Sequence, residues 1–505
     1  MKRALPLLLL LALPGCGQDD PATLLKQAMD EYAQQDYAAA RIDALAVLQA
    51  RPGDRQAALL LAQSLLRLGD GEGAQAAIEQ LKALGWAGPA LGRLEAEAML
   101  ARGLPKQAIE RLADDRSADA WRIIAAARLK LDDSAGALDA YKAGLAAGGG
   151  YLLSLDFANF LLAGDDLAGA AAQLRALQGY DANALATLML AATIHNKHGR
   201  KAEAHKGYAE AAKRYPLRVE PLVADARLYD EEGKVDTAIE LVDQAAKLAP
   251  DHPEVFELKV MLASIKGDWE KVRSLLGPIE TSLVPLSANY MTYAEALLRL
   301  GHPEQARAMF ERALQVSPHN PYSRLMAGEA QLATGDARAA WATLQPLAIS
   351  IMAGPRELEL GEKAARAAGD QTADALAARL RSPGFKQAQN LTQQGQQALA
   401  RRDWPAAIAA YQALLALGQD AEAHKRLAFA LTNSAQHDQA IAEADRALAL
   451  EPENADMLHM AGLTRFNAGR DAAKALQLLQ AAARKDPASA LFRTDLARAQ
   501  QASRS

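Results

Sequence analysis

The chain alternates two amphipathic helical patterns with a period close to 34 residues. In the stretch 217–250, apolar residues recur at helical intervals on both sides of Gly233, and Pro250 follows the second pattern. The preceding stretch, 183–216, has the same layout. A fixed period of this size predicts an array of helical hairpins, in which each unit needs its neighbours to cover its apolar face.

Small residues and helix breakers occupy the same places in successive units. Ala204 and Ala238 lie early in the second helix, where a small side chain lets two helices cross closely, at about 8–10 Å. Gly199 and Gly233 are expected to close the first helices, because positive φ costs glycine little. Pro250 is expected to end a second helix, since proline cannot continue one. The small position recurs at Ala40, Ala74, Ala108, Ala137, Ala170, Ala204, Ala238, Ala306, Ala340, Ala407, Ala440 and Ala475, with Val272 in one unit.

This layout of small, aromatic and proline positions resembles the tetratricopeptide repeat. Trp121 stands in the tryptophan position of one unit, and Gly328, Gly395 and Gly462 stand in the glycine position of three others. The resemblance implies an all-α superhelical solenoid of helical hairpins whose first helices line a concave groove. In such a solenoid each repeat is expected to contact only its neighbours.

The first twenty residues predict an export signal with a lipidation site. Lys2 and Arg3 precede the apolar run 5–13, which is too short to span a bilayer as a mature helix. The run leads into an LPGC sequence that resembles the lipobox of bacterial lipoproteins, and Cys16 is the only cysteine of the chain. The resemblance implies cleavage before Cys16 and acylation of its sulfur, which would give a stable membrane anchor. The alternative is a secreted protein whose cysteine lies near the cleavage site by chance.

Gly17 follows the anchor cysteine directly. In the familiar rule for enterobacterial lipoproteins, aspartate at this position retains the protein in the inner membrane, so Gly17 implies the periplasmic face of the outer membrane. The repeats are predicted to begin by Pro21, which leaves a tether shorter than about 20 Å. We therefore expect the first repeat to lie close to the membrane surface.

The opening of the chain also has a narrower resemblance. About the first 90 residues are similar to the start of the tetratricopeptide lipoproteins associated with exosortase and PEP-CTERM exopolysaccharide systems. The predicted division of the chain is a signal peptide at 1–15, a lipidated tether at 16–20, about ten repeats at 21–348, a degenerate repeat or hinge at 349–386, three repeats at 387–488 and a polar capping helix at 489–505.

Charge and motifs argue against nucleic-acid binding and catalysis. The 56 basic and 61 acidic residues give a formal charge of −5, without a basic cluster. No nucleophile elbow, zinc-protease motif, P-loop or dinucleotide fingerprint occurs, and the predicted array leaves no room for a catalytic domain. His195, His198 and His205 form the one local histidine cluster, but no cysteine or carboxylate completes a metal-ligand set at a characteristic spacing. We expect no enzyme activity, metal or cofactor.

The concave wall is the remaining candidate site. The groove positions of the tetratricopeptide family, carried over by register, place Tyr32 and Phe466 near its two ends. Polar groups on this wall could hydrogen-bond a peptide backbone or a glycan, although a merely solvated face is the alternative. We expect a scaffold for a cell-envelope assembly or export system, bound to envelope proteins or an exported polymer, or alternatively a glycan- or peptide-binding chaperone. The predicted groove residues are Asn159, Asn196, Arg227, Asp230, Glu295 and Glu329.

Overall fold

The structure is a computed structural model that describes residues 20–34 and 36–503. Cys16 and the predicted signal peptide lie outside these residues. Within them, every regular element is helical and no strand occurs, which confirms the predicted all-α fold. The described residues form two compact units, divided between Glu232 and Gly233. None of the described helices combines the length and apolarity that crossing a bilayer requires.

Unit 1 is built from α-helices that pair as hairpins in chain order. Odd-numbered helices are the first members of successive hairpins, and even-numbered helices are the second. The helices are α1 (Pro21–Ala33), α2 (Tyr37–Ala50), α3 (Arg55–Arg67), α4 (Gly71–Ala83), α5 (Pro89–Ala101), α6 (Pro105–Arg111), α7 (Ala118–Leu129), α8 (Ser134–Ala146), α9 (Tyr151–Ala163), α10 (Leu167–Asp181), α11 (Leu185–Lys197), α12 (Lys201–Arg214) and α13 (Glu220–Glu231).

Unit 2 begins with α14, and its later helices pair as hairpins in chain order. One hairpin ends in a short 3₁₀ helix, Gly277–Ser282. The α-helices are α14 (Val235–Leu248), α15 (Pro253–Lys266), α16 (Trp269–Leu276), α17 (Ala288–Arg299), α18 (Pro303–Val316), α19 (Pro321–Ala333), α20 (Ala337–Ile349), α21 (Pro355–Ala368), α22 (Ala373–Leu380), α23 (Pro383–Ala400), α24 (Trp404–Leu415), α25 (Ala421–Asn433), α26 (His437–Leu450), α27 (Ala455–Asn467), α28 (Ala472–Lys485) and α29 (Ala490–Ala502).

The small positions of the second helices form the core of each hairpin. All thirteen of them, the twelve alanines and Val272, are buried, with at most 1% of their surface exposed. The glycine positions of the first helices lie just as close to a partner. A β-carbon on Gly395 would come within 2.7 Å of the Tyr411 ring, and one on Gly328 within 2.3 Å of Leu344. The predicted register of the small positions is therefore confirmed.

A residue with left-handed backbone closes the first helix of successive repeats. Gly199 and Gly233 have φ of 73° and 74°, as predicted. An aspartate often follows this residue and caps the second helix: Asp70 accepts a hydrogen bond from the Gly73 N–H at 2.8 Å. The left-handed positions are Gly69, Gly103, Asp132, Asp165, Gly199, Gly233, Gly267, Gly301, Gly335, Gly369, Arg402, Ala435 and Gly469. Four of them are not glycine, which sequence reasoning missed.

First helices also contact the first helices of neighbouring repeats. In unit 1 this series runs from α1 through α3, α5, α7 and α9 to α11. In unit 2 it runs from α15 through α17 and α19 to α21, and again from α25 through α27 to α29. Across the described residues, no two successive second helices make contacts of this extent. First helices therefore line the inner side of the curve within each unit.

The segment between α20 and α21 binds to a later repeat of unit 2. Asp420 caps α25 by accepting from the Ala423 N–H at 2.9 Å, and its second oxygen accepts from Ser350 Oγ at 2.6 Å and from the Ile351 N–H at 3.0 Å. Arg379 of α22 donates to the carbonyl of Ser350 at 2.6 Å. These bonds join 350–351 to α25. The hinge proposed for 349–386 stays a prediction.

Unit 2 contains a second contact between repeats that are distant in sequence. Ser317, after α18, donates from Oγ to Asp486 Oδ2 at 2.8 Å, although 169 residues separate them. Arg324 of α19 also interacts electrostatically with Glu451, after α26. The expectation that each repeat contacts only its neighbours is wrong here, because the twist of the array brings repeats about five 34-residue periods apart back together.

Candidate interaction surface

A network of polar side chains crosses the first helices of unit 1. Arg122 of α7 donates to Glu97 of α5 and to Asp156 of α9, the latter at 3.4 Å. Arg67 of α3 forms a side-chain hydrogen bond with Tyr32 of α1. Arg67 also interacts electrostatically with Glu97 of α5. The network therefore links five successive first helices along the inner side of unit 1.

Burial sets the electrostatics of this network. It lowers the pKa of Arg122, but Glu97 and Asp156 outweigh it, so the net pKa is raised. Burial raises the pKa of Asp156, and Arg122 and Arg67 only partly oppose it. Burial, with Asp156 as the second cause, also raises the pKa of Tyr141 to about 12. Two guanidinium groups thus face two carboxylates, and the network carries no net charge when all four are ionised.

Unit 2 has a corresponding network on α17, α19 and α21. Arg299 donates to Glu295 Oε1 at 3.0 Å and to Glu329 Oε1 at 2.6 Å. Arg356 donates to the other carboxylate oxygen of Glu329 at 2.6 Å, and the Tyr322 hydroxyl donates to Glu295 Oε2 at 2.6 Å. Each acidic group is therefore held by two donors, which is the arrangement that makes a charge-assisted hydrogen bond strong.

The central carboxylate of this network is stabilised in its ionised form. Burial raises the pKa of Glu329, but the hydrogen bonds from Arg299 and Arg356 outweigh it, and the net pKa is lowered. Burial, and then the hydrogen bond to Glu295, raise the pKa of Tyr322, so its hydroxyl stays protonated and donates. Of the six predicted groove residues, the structure brings Glu295 and Glu329 together, through Arg299.

The other four predicted groove residues lie on α9, α11 and α13 of unit 1. Asn159 and Arg227 are exposed, and Asn196 and Asp230 are half-buried. Within residues 20–34 and 36–503, none of these four side chains forms a hydrogen bond or an ion pair. Their polar groups are open to a ligand, whereas those of Glu295 and Glu329 are already occupied. That they bind a partner stays a prediction.

Sequence reasoning missed most members of the two networks. Glu97 could have been found, because it lies six residues before Gly103, just as Arg227 lies six residues before Gly233. Arg122 and Arg299 do not stand in this place, and no sequence signal identified them. Their roles depend on partners in helices about 30 residues away, which a repeat register does not specify.

The two aromatic residues predicted near the ends of the groove make contacts of their own. Tyr32 packs edge-on against Tyr37, with ring centroids 5.1 Å apart. Phe466 lies under the guanidinium of Arg498, whose carbon is 5.7 Å from the ring centroid. Both rings are half-buried, so each offers one part of its surface to solvent.

Of the three clustered histidines, His205 packs against an aromatic ring and a carboxylate. His205 stacks on Tyr229, with centroids 3.9 Å apart, and its Nδ1 bonds to the Asp225 carboxylate. Burial raises the pKa of Asp225, and His205 only partly opposes it. In the described part of the chain, no group of three or more His, Cys, Asp or Glu side chains is placed to hold a metal ion.

Helix pairs that pack in succession within each unit, with first helices inside, define an α-solenoid repeat protein. Tetratricopeptide-repeat models match residues 25–89, 189–253 and 290–350, so these parts of the chain are tetratricopeptide repeats. Proteins built from these repeats generally act as scaffolds for protein–protein interaction and not as enzymes, and no catalytic family is indicated here.

Several solved structures are similar to the chain at low identity. One, described as the APC/C hetero-tetramer Cut9-Hcn1, matches with 16% identity and a TM-score of 0.40, covering 95% of this chain and 96% of that one. A tetratricopeptide repeat protein from Parabacteroides merdae matches with 15% identity and a TM-score of 0.34, over 49% and 98%. Yeast Tom70 matches with 15% identity and a TM-score of 0.35, over 72% and 93%. Likeness at this level does not identify a partner. No curated protein matches the chain in sequence.

Proposed function

We propose that this protein is a lipoprotein of the bacterial envelope, anchored at Cys16 and exposed to the periplasm, that scaffolds an assembly or export system. The tetratricopeptide repeats support the scaffold role, because they present a long inner surface to protein partners. The lipobox-like sequence before Cys16 supports the anchor, and Gly17 supports the outer membrane. The similarity of the first 90 residues to exopolysaccharide-system lipoproteins supports an export context.

We choose the binding site by comparing groove side chains that already have ion-pair partners with groove side chains that have none. A ligand that binds at Glu329 has to compete with two arginines. A ligand at Arg227 and Asp230 has to displace water only, since neither side chain has a partner in the described residues. Polar groups that are free before binding contribute more to affinity than groups whose hydrogen bonds must first be broken. We therefore place the partner site on α9, α11 and α13.

A pull-down from solubilised membranes tests this site. The double variant Arg227→Ala/Asp230→Ala should lose an envelope protein that the wild type retains. The matched control is Glu203→Ala/Lys206→Ala on α12, which removes one acidic and one basic exposed side chain with the same spacing of three residues. If both double variants recover the same envelope proteins as the wild type, the partner site is not on α13.

Mass spectrometry of the mature amino terminus tests the anchor. We expect cleavage before Cys16 and acylation of its sulfur, with palmitate among the attached chains. Cys16→Ser should move the protein from the membrane fraction to the soluble fraction. An unacylated Cys16 in the membrane-purified protein would contradict the anchor without affecting the scaffold role.

One feature of unit 1 favours a glycan- or peptide-binding chaperone as a second candidate. A surface groove in unit 1 is lined by residues of α8, α9 and α10, among them Phe157, Phe160, Lys142 and Gln173. An apolar floor with a few polar groups is typical of a site for a small or extended ligand. Binding of the purified protein to purified exported polymer, lost in Phe160→Ala, would favour the chaperone over a scaffold that binds proteins only.

A further inference from the structure

The second helix of the first repeat has an apolar outer face. Ile42 and Leu45 of α2 are 58% and 41% exposed and lie three residues apart, so they share one face of the helix. The opposite face is buried through Ala40, Ala44 and Val47. The core of the first hairpin is therefore complete without Ile42 and Leu45.

The other repeats provide an internal control for this face. Ile42 and Leu45 stand two and five residues after the small position at Ala40. In the twelve other repeats with a small position, these places never carry a large aliphatic or aromatic residue. The first place holds Ala76, Glu110, Asp139, Ala172, Lys206, Glu240, Ser274, Ala308, Ala342, Ala409, Ala442 and Gln477. The second holds Glu79, Ala113, Lys142, Arg175, Ala209, Asp243, Gly277, Glu311, Gln345, Gln412, Asp445 and Gln480.

This apolar pair is therefore not a requirement of the repeat. Twelve hairpins of the same register form with alanine, glycine or polar residues at both places. Ile42 and Leu45 would lie in water in the free protein, where exposed apolar surface is unfavourable. Their presence at these two places in the first repeat alone points to something that covers this face of α2.

The position of α2 relative to the anchor identifies what covers it. Cys16 and Pro21, where α1 begins, are five residues apart, so the chain between them spans at most about 18 Å. Because α2 runs back along α1, its end at Ala50 lies near the start of α1. Leu45 lies five residues before Ala50, about 8 Å along the helix axis. The apolar face is thus within the reach that the tether allows from a bilayer.

We propose that the outer face of α2, through Ile42 and Leu45, rests in the interfacial region of the lipid bilayer beside the Cys16 anchor. The proposal rests on the proposed lipid anchor, which supplies the membrane. A helix face with apolar side chains settles about 5–10 Å into the headgroup boundary. Acyl chains on a short tether hold a protein to a membrane but do not orient it. Contact through α2 orients the first repeat.

A fluorescent probe at one position tests this contact directly. Since Cys16 is the only cysteine and is acylated in the proposal, a second cysteine can be labelled selectively with an environment-sensitive dye. The test variant is Ile42→Cys, and the matched control is Ala76→Cys, the same exposed place one repeat later. Each full-length, acylated protein is reconstituted into vesicles of phosphatidylethanolamine and phosphatidylglycerol, with and without lipids spin-labelled near the headgroup.

We expect the dye at position 42 to shift its emission to shorter wavelength on the vesicles and to be quenched by the spin-labelled lipids. The dye at position 76 should show neither change. Circular dichroism of both labelled proteins should match the wild type, because both positions are exposed.

The other outcomes separate the possible failures. If the protein floats with the vesicles but the dye at 42 behaves like the dye at 76, the bilayer contact is wrong and the anchor stands. If the protein is unacylated and does not float, the anchor itself is wrong and the contact falls with it. If the shift occurs without vesicles and grows with protein concentration, a second copy of the chain covers α2, which also overturns the proposal.

Discussion

Two stretches of the inner surface use the same repeat positions in opposite ways. From α17 to α21, Glu295 and Glu329 are joined to each other and to the next helix by Arg299 and Arg356. From α9 to α13, Asn159, Asn196, Arg227 and Asp230 have no partner among the described residues. Ion pairs join the helices of the first stretch, whereas the second stretch presents unpaired polar groups to solvent.

The difference teaches that a groove position is not by itself a binding position. Glu329 and Arg227 both stand six residues before the left-handed residue that closes their helix. Their neighbours differ. Glu329 pairs with Arg299 on the preceding first helix and with Arg356 on the following one. Arg227 has no carboxylate within ion-pair distance in the described residues. The same position can therefore stabilise the stacking of repeats or remain available for recognition.

The largest expected effect follows from the small positions of the second helices, which set the register of the hairpins in both stretches. Ala238 is fully buried at the small position of α14. Ala238→Phe should overpack the helix crossing and lower the free energy of unfolding by about 1–3 kcal/mol or more. Ala238→Ser should cost much less, because serine is almost as small. Urea midpoints of the two variants measure this, and equal midpoints would show that the register is wrong.

The next largest effect is a difference in the free energy of unfolding between matched variants in the two stretches. Glu329→Ala should cost about 1–2 kcal/mol, because it leaves the guanidinium groups of Arg299 and Arg356 without their shared carboxylate; the estimate allows for solvent screening, since Arg356 is 43% exposed. Asp230→Ala, the matched change in the open stretch, should cost less than about 0.5 kcal/mol. A loss for Asp230→Ala as large as that for Glu329→Ala would remove the distinction.

Double-mutant cycles measure how strongly two side chains interact in each stretch. For Arg299 and Glu329, the single and double alanine variants should reveal a coupling of about 0.5–1 kcal/mol. For Arg227 and Asp230, which form no ion pair, the coupling should stay within about 0.3 kcal/mol. Denaturation midpoints at low and high salt supply the measurement, and only the first coupling should weaken as salt rises.

The smallest expected effect is a dependence on pH. The pKa of Glu329 is lowered from its ordinary value of 4.5, so the folded state binds the proton less tightly than the unfolded state. Its contribution to stability is complete above about pH 4.5 and is lost as the pH falls through the folded pKa. The stability difference between the wild type and Glu329→Gln should therefore shrink below pH 4.5. A difference that grows on acidification would contradict the stabilised carboxylate.

The hairpins were predictable because they follow from local rules. Ala238 identified a close helix crossing, and Gly233 identified the end of a first helix, since each needs only its own size or backbone freedom. Ala435 shows the limit of such rules. It takes φ of 57° at the place where most repeats have glycine, because the surrounding turn fixes the backbone and the residue type does not reveal it.

The inner surface was less predictable because its partners are remote in sequence. The period placed Glu295 and Glu329 on the same side, but it did not show that Arg299 would join them. Ser317 and Asp486 are further apart still. Their contact depends on a twist that accumulates over several repeats, and a small change in the angle of each repeat would move one away from the other.

The bond between Ser317 and Asp486 changes how unit 2 would respond to a pulling force. A coil whose successive turns do not touch lengthens gradually, like a soft spring. A coil whose turns are fastened together keeps its length until the fastening breaks, and then extends in a step. The Ser317–Asp486 bond fastens two turns of unit 2 in this way, so it has to break before these two turns can separate.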